Sequence, residues 1–323
     1  MALTVYRWDD ASAPQITPWT QGELKKIFDA CLVNGYGAKG ALGWSKPFGD
    51  NGNKTVYKMP GGTSQSYLRV DDTGTISYGT QLKHAIINSY SSMTDMDTGS
   101  DATPSTAQNT QGYVAWAYSY NVATDRPWVL IGDDSYFYLY IQNYYDNVVD
   151  NNVNSAMHFF GDIVDISSSD QYPAFISPHS MRGSTYSNIY STWLSLPNVD
   201  NLYGQRCLDI GKLGANPYVI SQMNKYNDYP YPGNRGELTT CKIILQEYNY
   251  DNAGVKTLLS ASERDFRGSL PGLLYAMHSA YTLWTTNNFR NLDTINDGVN
   301  TYVLFMNYHG YYSYYDFILI KIA

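Results

Sequence analysis

Three spacings in this chain could do chemistry. Gly35-Tyr36-Gly37-Ala38-Lys39-Gly40 matches the GxGxxG pattern. A dinucleotide site needs that run between a strand and a helix start, so that the helix N-terminus faces the pyrophosphate. Here it follows a helical stretch and precedes strands, so its expected role is a helix C-cap and turn. Residues 93–101 (MTDMDTGSD) alternate Asp95, Asp97, Gly99 and Asp101 as in DxDxGxD loops, where oxygens at alternate positions face a calcium ion. The closing bidentate Glu is missing, because the twelfth position is Thr106. Asp95, Asp97 and Asp101 are therefore candidates for a weak cation site, and an acidic solvent loop is the plainer reading. Acid pairs stand at Asp9-Asp10, Asp71-Asp72 and Asp133-Asp134. A glycosidase needs two carboxylates facing each other across a gap of roughly 5–10 Å. Adjacent residues of a strand point to opposite faces, so a turn role is expected of these pairs.

Other reactive residue types are scattered. His84, His158, His179, His278 and His309 form no HxH or HExxH pattern. Cys31, Cys207 and Cys241 lie far apart with no ligand spacing, which reads as free thiols of a protein made in a reducing cytoplasm. Neither a GxSxG nucleophile elbow nor a GxxxxGK[ST] phosphate loop is present. No cofactor is implied and no enzyme activity is expected.

The elements that would position these residues are mostly strands. The exception begins at Thr20, with Glu23 three residues on as a capping box. Leu24, Ile27, Phe28, Cys31 and Leu32 follow at helical spacing until Asn34 and Gly35 stop it, which predicts an amphipathic N-terminal helix near 21–34 packed on a sheet. Strands are expected at 4–8, 42–48, 54–59, 66–71, 84–90, 113–120, 127–131, 135–142, 157–160, 163–166, 172–177, 237–250, 301–306 and 311–320, many separated by Gly, Asp, Asn and Pro turns. Residues 93–112 and 144–155 read as exposed loops, 178–236 as irregular, and 270–283 as helical or loop-like. No run of βαβ units appears. The fold class is mainly β, sandwich or barrel-like with some α+β character. The chain divides into an N-terminal β-rich block (1–180), an irregular Tyr/Asn/Pro/Gly-rich segment (181–236) and C-terminal strands (237–323) that complete the core, with one single domain as the alternative.

Composition narrows the function classes. The net charge is −8 with no Lys/Arg cluster, whereas a nucleic-acid binder needs a basic stripe to displace counterions. MALTVYRWDD lacks the charged start and apolar run of a signal peptide, and no apolar stretch approaches the roughly 18 residues that span a bilayer. A soluble product without a cleavable export signal is expected. Charged residues make up only 15%, while Tyr occurs 32 times, a side chain with a wide apolar face and one polar tip that suits strands and interfaces. The densest runs are Tyr136-Phe137-Tyr138-Leu139-Tyr140 and Tyr311, Tyr312, Tyr314 and Tyr315. By alternation half of these should be core, leaving the rest for protein contacts or for stacking on sugars.

Several segments resemble virion-associated structural proteins of tailed bacteriophages: VYRWDDASAP (5–14), DACLVNGYGAKGALGWSKPF (29–48), YLRVDD (67–72), MTDMDTG (93–99), RPWVLIGDDSYFYLYI (126–141), FFGDI (159–163) and RDFRGSLPGLLYAMH (264–278). The resemblance brings no catalytic residues. It implies a structural place in the particle, with Trp8, Trp44, Trp128, Gly161 and Pro271 serving turns and packing. The resulting expectation is a non-enzymatic virion protein made in the host cytoplasm. It would be an exposed neck or collar, tail-associated or capsid-decorating component that docks on other virion proteins and forms a homo-oligomer. Nucleic-acid and membrane partners are not expected. A receptor- or glycan-binding tail module is the first alternative, and a hydrolase of cell-wall or capsular glycan the second.

Overall fold

A computed structural model describes residues 3–17, 20–49, 52–76, 82–103, 114–119, 127–144, 154–165, 174–177, 203–206, 218–221, 240–247, 249–250, 256–257, 266–276, 290–309 and 314–323. The architecture is mainly β. Strands Ser45–Gly49, Lys54–Lys58, Tyr67–Ile76, Leu82–Tyr90 and Val114–Ser119 make a five-stranded sheet in that order. A larger sheet, thirteen-stranded among the described residues, runs from Thr4–Arg7 through Trp128–Gly132, Tyr136–Tyr144 and Asn154–Gly161 to the C-terminal strands Phe266–Ala276, Tyr314–Lys321 and Thr301–His309, and ends at Thr294–Asn296. Its pairings are antiparallel. Strands from the N-terminal and C-terminal blocks thus share one sheet.

The hairpin Trp128–Gly132/Tyr136–Tyr144 lies between the two hydrophobic cores and contributes to both. Period-two alternation sends Trp128, Leu130, Phe137, Leu139 and Ile141 to one face, where they meet the helix residues Leu24, Ile27, Phe28, Cys31 and Leu32 and the small-sheet residues Tyr57, Leu68 and Ile87. Val129, Ile131, Tyr138 and Tyr140 go to the other face, against Leu273, Val303, Phe305, Ile318 and Ile320 of the C-terminal strands. Both faces are therefore buried, each Leu, Ile or Phe so enclosed contributing roughly 1.5–3 kcal/mol. The two ends of the large sheet come together as well. Leu3 N–H donates to Ile322 O at 3.0 Å, and the Arg7 guanidinium donates to Leu292 O at 2.9 Å.

The helical segment differs in detail from its sequence signature. The α-helix runs Glu23–Phe28 and widens into a π-helical turn over Asp29–Asn34. Its last carbonyls are taken by the next segment, with Leu42 N–H on Cys31 O and Trp44 N–H on Leu32 O, both at 2.9 Å. Gly35 then ends it with its N–H on Ala30 O. The capping box does not form. Gly22 occupies the N-cap, and Glu23 turns back to accept from Thr17 N–H and Lys26 Nζ. The cap is instead Asp72, from a bulge in Tyr67–Ile76, whose Oδ2 accepts Leu24 N–H at 2.9 Å and Lys25 N–H at 3.0 Å.

Other expectations shift too. The stretch expected to be helical or loop-like from 270 is a strand, Phe266–Ala276, with Pro271 within it; residues 277–289 lie outside the described set. Strands Tyr203–Arg206 and Tyr218–Ser221 interrupt the segment read as irregular. The acidic loop contains a two-residue hairpin, Ser92–Met93 against Gly99–Ser100, while 104–113 lie outside the described residues.

Candidate functional site

The glycine turn 35–40 is tied down by several hydrogen bonds. Tyr36 and Lys39 pair across it, with Tyr36 N–H on Lys39 O at 3.0 Å and Lys39 N–H on Tyr36 O at 2.9 Å. Gly37 has φ of 54°, and a Cβ there would stand 2.5 Å from Ala11 O, so the turn lies flush against the segment after the first strand. From that position Lys39 Nζ reaches Asp10 Oδ2 at 2.5 Å and Val5 O at 2.6 Å. Tyr36 Oη donates to Asp10 Oδ2 at 2.7 Å, and Tyr6 Oη donates to Gly40 O at 2.5 Å. Burial pushes the Asp10 carboxyl up. The hydrogen bonds from Lys39, Tyr36 and Arg7 N–H outweigh it and hold the group below the usual carboxylate range. The turn follows a helix and does not open one, so its amides do not form a phosphate cradle. Its work is to grip the first strand.

The three acidic loop residues point to three different partners. Asp95 Oδ1 accepts Asp97 N–H at 2.8 Å, a local turn. Asp97 Oδ1 accepts from the Arg69 guanidinium, with Lys54 Nζ at 3.8 Å. Asp101 Oδ2 accepts Ser91 Oγ at 2.5 Å. Among the described residues no group of three or more His, Cys, Asp or Glu side chains is arranged to hold a metal ion. Arg69 also donates to Met96 O at 3.1 Å, so the loop folds over the outer face of the small sheet with a guanidinium beneath it.

The acid pairs take different roles. Asp9-Asp10 and Asp133-Asp134 lie outside the strands, in line with the turn role, whereas Asp71-Asp72 lie within the strand Tyr67–Ile76, contrary to it. Asp9 pairs with the Arg7 side chain, while Asp10 serves the glycine turn. Asp71 faces Lys54, Arg69 and Thr73, while Asp72 caps the helix. Asp133 Oδ1 accepts from Ser135 N–H, Ser135 Oγ and Tyr136 N–H, a turn role. Asp162, which the sequence places in the FFGDI segment with no role of its own, ties the two sheets together. Its carboxylate accepts from Thr63 N–H, from Thr63 Oγ1 at 3.0 Å and from Ser64 Oγ at 2.6 Å. Gly62, at φ of 71°, lies so close that a Cβ would overlap Asp162 Oδ2. The only local signal for this contact was the Pro-Gly-Gly-Thr-Ser run, which says that a turn is there but not what it binds.

The tyrosines correct the expectation of exposed platforms. In Tyr136–Tyr144, Tyr138 and Tyr140 are as buried as Phe137 and Leu139, because the C-terminal strands cover the face that alternation alone would leave to solvent. Their hydroxyls are used within the fold. Tyr138 Oη donates to Pro271 O at 2.9 Å, and Asn291 Nδ2 donates to Tyr140 Oη at 2.7 Å. Tyr57, fully buried, donates to Asp29 Oδ1 at 2.9 Å; Asp29 is also held by Lys25 and Lys46. Tyr314 and Tyr315 begin the last strand, but their side chains, like residues 311 and 312, fall outside the described set.

Of the histidines, His158 is buried in Asn154–Gly161, and burial lowers its pKa to about 3. His84 is buried against Gly74 in the small sheet. His309 lies in a strand, and His179 and His278 lie outside the described residues. Cys31 is a buried free thiol whose pKa is raised by desolvation. Cys241 lies in the strand Thr240–Glu247, and Cys207 lies outside the described residues. No protein-family model matches the chain, and no curated protein matches it.

Proposed function

We propose that this protein is a non-enzymatic structural component of a tailed-phage virion that acts through protein–protein contacts as an exposed neck, collar, tail-associated or capsid-decorating part. One observation carries the reading: the segments that resemble phage virion proteins pack on one another as a single frame. Trp128 Nε1 donates to Pro14 O at 2.8 Å, and Trp44 Nε1 donates to Asp133 O at 3.2 Å. The Trp44 and Phe160 rings lie 5.9 Å apart, and Tyr6 Oη holds Gly40. These join residues 5–14, 29–48, 126–141 and 159–163. Their conspicuous residues are engaged in holding strands and turns, which is what a scaffold asks of them. Such a scaffold does its work through its surface and repeats about the symmetry of a particle. Of the finer fold expectations, a barrel-like closure agrees better than an open sandwich with the contacts of the first strand to the C-terminal part of the sheet, Leu3 to Ile322 and Arg7 to Leu292.

The test is to purify intact particles from an infected host and quantify this chain against the major capsid protein. A fixed stoichiometric ratio that survives gradient purification supports the proposal. Absence from purified particles overturns it. Turnover of a cell-wall or capsular glycan, lost when one of two facing carboxylates is replaced, would favour the hydrolase alternative.

A further inference from the structure

Asn34-Gly35 is one of two Asn-Gly steps in the sequence, the other being Asn51-Gly52. Such a step is chemically unstable in a flexible chain, because glycine has no side chain to shield its nitrogen. The Gly35 nitrogen, losing its proton, attacks Asn34 Cγ. The new N–C bond closes a cyclic imide as the Cγ–Nδ2 bond breaks and ammonia leaves. Water then opens the ring at either carbonyl, leaving aspartate or isoaspartate at position 34. Glycine is required at 35, where φ is 77° and a Cβ would stand 2.6 Å from Lys39 O. The Asn34 side chain is exposed, so its burial gives no protection. Protection comes from the backbone. Asn34 is the last residue of the π-helical turn, and Gly35 N–H donates to Ala30 O at 2.8 Å. That bond holds the proton that must leave, and closing the ring needs a ψ at 34 well away from the helical value. The chain beyond is held as well: Tyr36 and Lys39 pair across the glycine turn, and Lys39 Nζ is bonded to Asp10 and to Val5 O. Releasing Gly35 from Ala30 therefore means loosening the glycine turn.

We infer that Asn34 is a spontaneous deamidation site held shut by the glycine turn, and that local opening of the turn sets its rate. The change is one-way. Aspartate at 34 places a negative charge on the last residue of the helical segment, where the carbonyl ends already carry partial negative charge. Isoaspartate adds a methylene to the backbone and moves Gly35 N–H off Ala30 O. Either product leaves the turn easier to open than before, and with it the grip of Lys39 on the first strand. The inference rests on this turn alone and stands apart from the virion reading.

The purified protein is aged in mildly alkaline buffer, folded and in urea, and the conversion of Asn34 is followed by peptide mapping with mass spectrometry. Hydrogen exchange at the Gly35 amide is read in parallel on the folded protein. Asn34 should deamidate at least about tenfold more slowly in the folded protein than in urea, the effect of about one to two net hydrogen bonds. Gly37→Ala loosens the turn without touching the Asn-Gly step, because its Cβ would stand 2.5 Å from Ala11 O. In this variant, deamidation at Asn34 and exchange at Gly35 should speed up by the same factor, since both wait for the same N–H to be released. Equal rates in folded and unfolded protein overturn the inference, and so does faster exchange at Gly35 with no faster deamidation. Should Gly37→Ala fail to fold, Lys39→Met, which removes the bonds to Asp10 and Val5 O, is read by the same rule.

Discussion

Acid should weaken this fold before its carboxylates begin to titrate, and His158 is the reason. The residue lies opposite Leu139 in the register of the central hairpin and its neighbour, with 2% of its surface exposed. Burial disfavours the imidazolium and brings its pKa from 6.5 down to about 3. A histidine lowered in this way stays neutral in the folded state, while the unfolded chain takes up a proton as pH falls through about 6.5. Stability therefore declines with pH from that point to about 3, where the folded state also protonates. At roughly 1.4 kcal/mol per unit, the full loss is on the order of 5 kcal/mol, a large part of the roughly 5–15 kcal/mol typical of a domain. Between about pH 7 and about pH 5 the share due to His158 is about 2 kcal/mol. That window is informative because Asp10, Asp29 and Asp71, whose pKa values are lowered in the fold, keep their charge throughout it. Their contributions are lost only as pH falls below the ordinary carboxylate range. Urea unfolding followed by tryptophan fluorescence at the two pH values, on wild type and His158→Leu, isolates the term. Wild type should lose about 2 kcal/mol more than the variant on acidification. Equal losses in the two proteins would refute the reasoning, because they would show that His158 protonates as easily folded as unfolded.

Two further outcomes follow from the hydrogen bonds that replace the sequence-level expectations. Tyr138→Phe should lower stability by about 1–3 kcal/mol, because Pro271 O is left in the core without the tyrosine hydroxyl; a denaturant melt checks this, and no change would mean another donor reaches that carbonyl. Asp72→Ala should cost about 2 kcal/mol or somewhat less by loss of the cap on Leu24 and Lys25, and should speed amide exchange at those two residues ahead of the rest of the helix.

Much of the secondary structure was legible along the chain. Val129, Leu130 and Ile131 or Tyr138, Leu139 and Tyr140 form strands because β-branched and aromatic runs between turn residues suit an extended backbone. Leu24, Ile27, Phe28, Cys31 and Leu32 mark a helical face by spacing alone. The glycine turn was readable as a helix end from its place after that face, and Asp133 as a turn residue from its neighbours. What alternation could not supply was the number of layers. It assigns neighbouring side chains to opposite faces, but whether the second face meets water or another strand depends on chain far away in sequence. For Tyr138 and Tyr140 that chain is Leu273, Val303, Phe305, Ile318 and Ile320.

The candidate site divided in the same way. The acidic alternation of Asp95, Asp97 and Asp101 is a local property, visible at once. The guanidinium of Arg69 that donates to one of those carboxylates lies on a strand 28 residues back, where no spacing rule looks. Asp72 at a helix end 48 residues earlier and Asp162 in a turn 98 residues earlier were equally out of reach. By itself the sequence determined many of the strands and turns, because those preferences are set by each residue's own backbone and near neighbours. It did not determine the strand through Pro271 or those at Tyr203–Arg206 and Tyr218–Ser221. Only the tertiary structure decided which carboxylate meets which donor and which tyrosines are core, because those pairings are made by a sheet that brings distant strands side by side.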